Sequence, residues 1–267
     1  MTLNVKDLNY RYHDRPVLEN TSLEIVPGEI IGILGMNGSG KTTLLKNLNR
    51  NLSPESGAVY LDDTDIAEMT KKDIARSIAS VPQGNEIRFS FTVEDIVSMG
   101  RMPFQKQLSG ESSEDREIID NAMRDVGIYS MKDRPVSEMS GGERQKVIIA
   151  RALAQTPKYL LMDEPTNHLD INAQFEVLDL VSSLAKRKGI SVVLVSHDLP
   201  MASRYCDRVA LIKDRHIICI GKPEEVLTPE SMRDVFLVDA ELVRNPKTGR
   251  LTVQLNGSAS ADDVTSS

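Results

Sequence analysis

Eight consecutive residues, Gly35-Met36-Asn37-Gly38-Ser39-Gly40-Lys41-Thr42, fit the pattern G-x-x-x-x-G-K-S/T, and Thr43 continues the stretch. Glycines in such a run let backbone N–H groups turn inward and cradle phosphate oxygens. The helix that begins near Lys41 adds the positive end of its dipole. Lys41 is placed to reach the β and γ phosphates, and the Thr42 hydroxyl to ligate Mg2+. The run lies between a buried strand and a helix. A phosphate cradle requires that context, and a plain flexible loop does not.

A second run, Leu160-Leu161-Met162-Asp163-Glu164, is an apolar strand ending in two adjacent carboxylates. Successive strand residues point opposite ways, so the two acids are free to take separate roles. Asp163 suits Mg2+ coordination. Glu164 suits polarising an attacking water as general base. Strand ends are often charged, so the pair means little alone; downstream of a phosphate loop it reads as a Walker B site. A third run, Ser140-Gly141-Gly142-Glu143-Arg144, opens a helix. A helix N-cap accounts for Ser140. The two glycines beside it also leave backbone donors free to approach an anion.

The elements that must hold these runs can be read from the apolar pattern. Val5, Leu8, Tyr10 and Tyr12 fall in an alternating apolar-rich stretch, Thr21 to Ile25 is a second short run, and Glu29 to Leu34 is uninterrupted, as in a sheet buried on both faces. A helix is expected from Lys41 to Asn49, strands at 58–61 and 78–81, and a short helix at 71–77. From Gly84 to Met139 the periodicity is helical, with a polar insert near Ser109 to Glu114, and this stretch is expected to form a small lobe. Helix then strand then helix follow at 141–154, 159–162 and 173–188, with a strand at 192–195. Strands alternating with helices predict an α/β fold built on a mainly parallel sheet. The expected organisation is one domain over 1–255, with a core of 1–83 and 140–255, an inserted helical lobe of 84–139, and a small polar tail, 256–267, without structure.

The chain has 267 residues and a net charge of −7. An acidic balance argues against nucleic acid as the main partner, which would call for basic stripes. Its two cysteines, Cys206 and Cys219, make no disulfide framework and are expected to be reduced. The N-terminus has no apolar signal core, and no segment approaches the roughly 18–20 apolar residues that span a bilayer. Any membrane link is therefore expected to come through a partner.

In order, the phosphate loop, Ser140-Gly141-Gly142-Glu143, the strand ending in Asp163-Glu164, and Ser196-His197-Asp198 resemble the ABC ATPases over about Leu3 to Phe236. The resemblance implies a P-loop ATPase core with an N-terminal antiparallel β subdomain and an inserted helical subdomain. It also implies further roles. Tyr12 resembles the aromatic that stacks on adenine, with Tyr10 the competing choice. Gln83 resembles the glutamine that contacts Mg2+ and the attacking water. His197 resembles the switch histidine at the γ-phosphate, and Asp170, ending Asn167-His168-Leu169-Asp170, the loop that crosses the dimer interface. The family signature reads LSGGQ where this chain has Met139-Ser140-Gly141-Gly142-Glu143. Methionine for leucine keeps an apolar anchor. In such proteins Ser140 and the Gly142 amide of one subunit complete the γ-phosphate site of the other, with Gly141 and Glu143 beside them, so the implied state is a homodimer holding two MgATP.

The stretch Phe91-Thr92-Val93-Glu94-Asp95-Ile96-Val97-Ser98-Met99-Gly100-Arg101-Met102-Pro103 resembles the FTVxDxVxxGRxP pattern of importers for iron–siderophore complexes, haem and cobalamin. Its apolar positions, Phe91, Val93, Ile96 and Val97, fit a helix entry whose exposed side forms a groove for a permease helix; they also suit packing of the lobe's own core, and both can hold. The resemblance implies an importer subunit at the cytoplasmic face of the membrane, held by a FecCD-type permease dimer and served indirectly by a substrate-binding protein. Iron–siderophore ranks first as cargo, then cobalamin, then haem. The alternative is a soluble ABC ATPase of iron–sulfur cluster assembly. About 70 residues follow His197, too few for the regulatory barrel of sugar importers, and Pro223 to Thr228 resembles the closing segment of small importers.

Overall fold

The computed structural model describes residues 2–84, 91–105, 112–247, 249 and 251–259. Two compact units are formed, one by Met1–Ala67 with Val193–Ser267 and the other by Glu68–Val192. The lobe limits expected at 84 and 139 both lie inside the second unit.

The first unit opens with β1 (Leu3–Tyr12) and β2 (Arg15–Ile25), an antiparallel hairpin registered from Leu3↔Ile25 to Tyr12↔Arg15. The strands turn Leu3, Val5, Leu8, Leu18, Leu23 and Ile25 inward, as their alternation requires. A register shift follows Val5, where Asp7 takes φ 48 and its N–H binds Ser22 Oγ. Next come β3 (Ile30–Leu34), α1 (Lys41–Leu48), β4 (Ser56–Leu61) and the short β5 (Thr64–Asp65). One antiparallel sheet runs β2-β1-β4-β5. All five residues of β3 are buried. Its start is pinned by Asp207, whose carboxylate accepts from Ile30 N at 2.8 Å, and by a Glu29–Arg208 ion pair at 3.2 Å. Burial holds the Glu29 carboxyl above its ordinary value, against the opposing pull of the Val26 N–H and Arg208.

The second unit contains α2 (Lys71–Ala75), β6 (Ile78–Val81), α3 (Val93–Ser98), α4 (Ser113–Asp125), α5 (Gly141–Ala154), β7 (Tyr159–Asp163) and α6 (Ile171–Lys188). β6 and β7 pair in parallel from Ile78↔Tyr159 to Val81↔Met162. Helix starts follow local chemistry. Thr92, Ser112 and Ser140 each accept the N–H three residues on, and Asp95, Asp115 and Glu143 reach back to the cap. The polar insert expected near Ser109 to Glu114 is thus in part a helix start, since Ser113 and Glu114 lie in the first turn of α4; 109–111 lie outside the described residues. Arg101 is buried and ties two helix ends together. Its Nε pairs with Asp115 at 2.7 Å, its Nη1 donates to Ala154 O at 2.8 Å, and its guanidinium lies 3.9 Å from the Phe104 ring centre.

The strand β8 (Ser191–Ser196) is buried throughout and carries the chain back into the first unit. There β3 lies between β8 and β9 (Arg208–Lys213), and it pairs with β9 in parallel from Ile31↔Arg208 to Leu34↔Leu211. α7 (Leu199–Tyr205) precedes β9, and β10 (His216–Gly221) returns antiparallel to it. After α8 (Pro223–Val226) and α9 (Pro229–Phe236), β11 (Val238–Arg244) and β12 (Leu251–Ser258) form a separate two-stranded sheet, β11 on α9 and β12 on α7. This corrects the expected tail, because Asn256 to Ser258 end β12 and Ser258 pairs with Val238. The expectation for 260–267 lies outside the described residues. Cys206 is buried and Cys219 half-buried, both free. Among the described residues no helix is long and apolar enough to cross a membrane.

Candidate nucleotide site

In the first unit, β3 delivers the chain directly into the phosphate loop. A Cβ on Gly35 would lie 2.4 Å from Ile212 O, so only glycine lets the loop pass β9 this closely. Gly40 takes φ 106 and N-caps α1 without any side-chain cap, and no acidic residue stands in the first turn of α1. The helix therefore presents backbone donors and its positive end to the loop. Lys41 is 5% exposed, and its Nζ donates to Gly35 O at 2.8 Å and Met36 O at 2.9 Å. The ammonium is folded over its own loop. Among the described residues Ser39 Oγ is buried with no hydrogen-bond partner. An orphaned donor, an uncapped helix start and a buried cation are what a bound polyphosphate would satisfy, so the residues fit such a group.

Asn37 and Gly38 are exposed, Thr42 is half-buried, and Thr43 is buried with its carbonyl accepting from Asn47 Nδ2. Tyr12 is 42% exposed beside the hairpin turn. Its ring meets that of Tyr10 edge-on, 4.9 Å between centres. Partial burial, with Tyr12 alongside, raises the Tyr10 phenol above its ordinary value. His197 is exposed just past β8, where Asp198 caps α7 through Met201 N at 2.9 Å.

In the second unit, β7 ends on Asp163, which is 8% exposed. Glu164 follows with φ 46, a left-handed conformation that costs a non-glycine residue about 1–3 kcal/mol. Strand alternation alone was expected to separate the two acids, but this backbone turn does so as well. Gln83, exposed after β6, donates from Nε2 to Glu164 Oε2 at 2.8 Å, so two residues picked out separately in the sequence meet. Asn167 Nδ2 reaches the same Oε2 at 3.0 Å. The sequence pattern places Asn167 only within the 167–170 interface loop; its position three residues after Glu164, across a turn, is the signal for this contact.

Ser140 caps α5. Its N–H donates to Glu143 Oε2 at 2.8 Å, and Glu143 N donates to Ser140 Oγ at 3.3 Å. The Ser140 N–H holds the Glu143 carboxyl below its usual range, helped by the Ser140 hydroxyl. The glutamate in place of the family's glutamine thus completes a capping box, and S-x-x-E was a readable sign of it. Met139 is 3% exposed and keeps the apolar anchor. Gly142 lies where a Cβ would come 3.1 Å from Ala173 Cβ. Asp170 caps α6 through Ala173 N at 2.9 Å. The apolar positions of the 91–103 stretch divide: Val93, Ile96 and Val97 are buried, whereas Phe91 and Met102 are exposed. The first three pack the unit's own core.

A phosphate loop with a buried lysine, together with a strand-end Asp-Glu pair, defines the P-loop ATPase class. The family model described as ABC transporter matches residues 18–167. The chain belongs to the ABC transporter family, as an ATP-binding subunit of the transport-ATPase kind. It is 39% identical over 249 residues to the iron(3+)-hydroxamate import ATP-binding protein FhuC of Bacillus subtilis, covering 93% of each chain. It is 37% identical over 262 residues to the hemin import ATP-binding protein HmuV of Bordetella pertussis, covering 95% of this chain and 99% of that one. Among solved structures it resembles an inward-facing putative metal-chelate type ABC transporter, with TM-score 0.84 and 26% identity, over 95% of this chain and 97% of that chain.

Proposed function

We propose that this chain is the ATPase subunit of an importer for a metal chelate, an iron–siderophore complex first, with cobalamin and haem next. The observation that carries the reading is the phosphate loop, where Lys41 and the orphaned Ser39 hydroxyl sit at an uncapped helix start. The relatives' import names supply the cargo class, and they favour an importer over the iron–sulfur assembly ATPase.

On this reading Lys41 exchanges its two loop carbonyls for phosphate oxygens, and the 38–43 backbone holds the rest of the polyphosphate. Mg2+, when bound, supplies charge neutralisation; the Thr42 hydroxyl, the Asp163 carboxylate and the Gln83 amide are the groups that would hold it. Tyr12 stacks on the base. Glu164 accepts the proton of the attacking water, and His197 contacts the γ-phosphate. Ser140, Gly141, Gly142 and Glu143 of one copy complete the phosphate site of a second copy, with Asp170 at the interface between them. ATP thereby drives dimer closure, which a FecCD-type permease dimer converts to transport at the cytoplasmic face of the membrane. A substrate-binding protein delivers the cargo.

The test is recovery of a tagged Glu164→Gln chain, with ATP, from detergent-solubilised native membranes. Co-recovery of a polytopic permease supports the importer. A soluble scaffold with no membrane protein would sink it.

A further inference from the structure

We propose that Asn167 is a positioning residue for the Glu164 carboxylate, fixing the oxygen pair that must face the attacking water. This rests on the reading of Glu164 as general base. Asn167 holds Glu164 twice. Its backbone N–H closes the turn onto Glu164 O at 3.1 Å, and its side-chain Nδ2 donates to Glu164 Oε2 at 3.0 Å. The turn needs only the first bond. An asparagine serving the turn alone would bind nearby backbone, as in an Asx-turn; this one reaches a side chain instead.

The two amides that meet Oε2 differ in kind. Gln83 comes from 81 positions away and is exposed. Asn167 is half-buried and three residues along the same turn, so its grip moves with Glu164 itself. Two N–H groups converging on one carboxylate oxygen restrict rotation of the group and orient its second oxygen. A base that must take a proton from water at hydrogen-bond distance depends on that orientation. A neutral amide supplies it without placing a cation beside a site that must also hold Mg2+. When Gln83 turns to its own ligand, Asn167 keeps the carboxylate aimed.

The test uses the full-length chain, with Asn167→Ala and with Asn167→Asp, which keeps the shape but removes the donor and adds a like charge. Single-turnover hydrolysis of γ-labelled ATP is measured for both variants, alone and combined with Glu164→Gln, beside KM and melting temperature. The expected result is a roughly ten- to hundredfold fall in kcat, larger for Asp than for Ala, with KM for ATP little changed. In the Glu164→Gln background the same changes should cost nothing further. An equal loss in both backgrounds, or a raised KM with kcat intact, overturns the proposal and leaves Glu164 as the base. Unchanged hydrolysis in Glu164→Gln alone overturns both readings.

Discussion

Gln83 Nε2 and Glu164 Oε2 lie 2.8 Å apart although 81 positions separate them. β6 and β7 pair in parallel and end together, so the residues that follow each strand emerge side by side. Gln83 is exposed, so this bond can be exchanged for one to a ligand. Gln83→Ala should therefore leave ATP binding nearly intact and lower kcat by roughly tenfold or more. A titration with fluorescent ATP beside steady-state hydrolysis checks this. Lost binding with normal turnover of bound ATP would contradict it.

Lys41→Ala removes the buried ammonium and both of its bonds to the loop carbonyls of Gly35 and Met36. It should abolish productive ATP binding, measured at equilibrium. Turnover at the unsubstituted rate would refute the role assigned to the loop.

Tyr12→Ala should weaken ATP binding by roughly 1–3 kcal/mol, the range for aromatic stacking on a base. Tyr12 is the more exposed of the edge-on pair with Tyr10. Comparing Kd for ATP and for inorganic triphosphate isolates the base. If Tyr10→Ala shows the larger loss, the assignment moves to Tyr10.

Arg101→Ala leaves Asp115 without its partner and Ala154 O without a donor. Breaking such a buried pair should destabilise the chain by about 3 kcal/mol, read from chemical denaturation. The Arg101 hydrogen bond, then that of Ser112, holds the Asp115 carboxyl below its usual range. The sign follows. A lowered carboxylate contributes stability above the unfolded-state value of about 3.9 and loses it as pH falls through the lower folded value. Denaturation between pH 5 and 2 should show this loss, and Asp115→Asn should remove that part of the slope.

Glu143→Gln keeps an acceptor for the Ser140 N–H and should leave ATPase activity and stability nearly unchanged. Glu143→Ala should cost about 1 kcal/mol through the lost cap. If Glu143→Gln alone stops hydrolysis, the second copy's phosphate site needs the carboxylate charge of Glu143 and not only an acceptor at that position.

The chemistry-bearing runs were legible because each is local. The glycine pattern of 35–42, the apolar strand before Asp163 and the cap at Ser140 are set by neighbours a few residues apart. The buried strands β3 and β7 and helix α5 were readable for the same reason. The C-terminal hairpin was not. Its strands alternate weakly, with one buried residue on each strand, Ala240 and Val253, and it forms by packing on α7 and α9. Nor did the sequence show which residues of 91–103 face inward, since apolar character is the same on either side of a short helix.

By itself, then, the sequence determined that this chain carries a glycine-rich run ending in Lys41-Thr42, two strand-end acids and a glycine-opened helix, in the order of the ABC ATPases. Only the tertiary structure decided what those groups hold. It put Lys41 onto its own loop, Gln83 and Asn167 onto one oxygen of Glu164, and Arg101 between Asp115 and Ala154. Local pattern specifies residue type and element. A hydrogen bond between distant residues depends on strand pairing and on backbone turns such as φ 46 at Glu164, which no short window encodes.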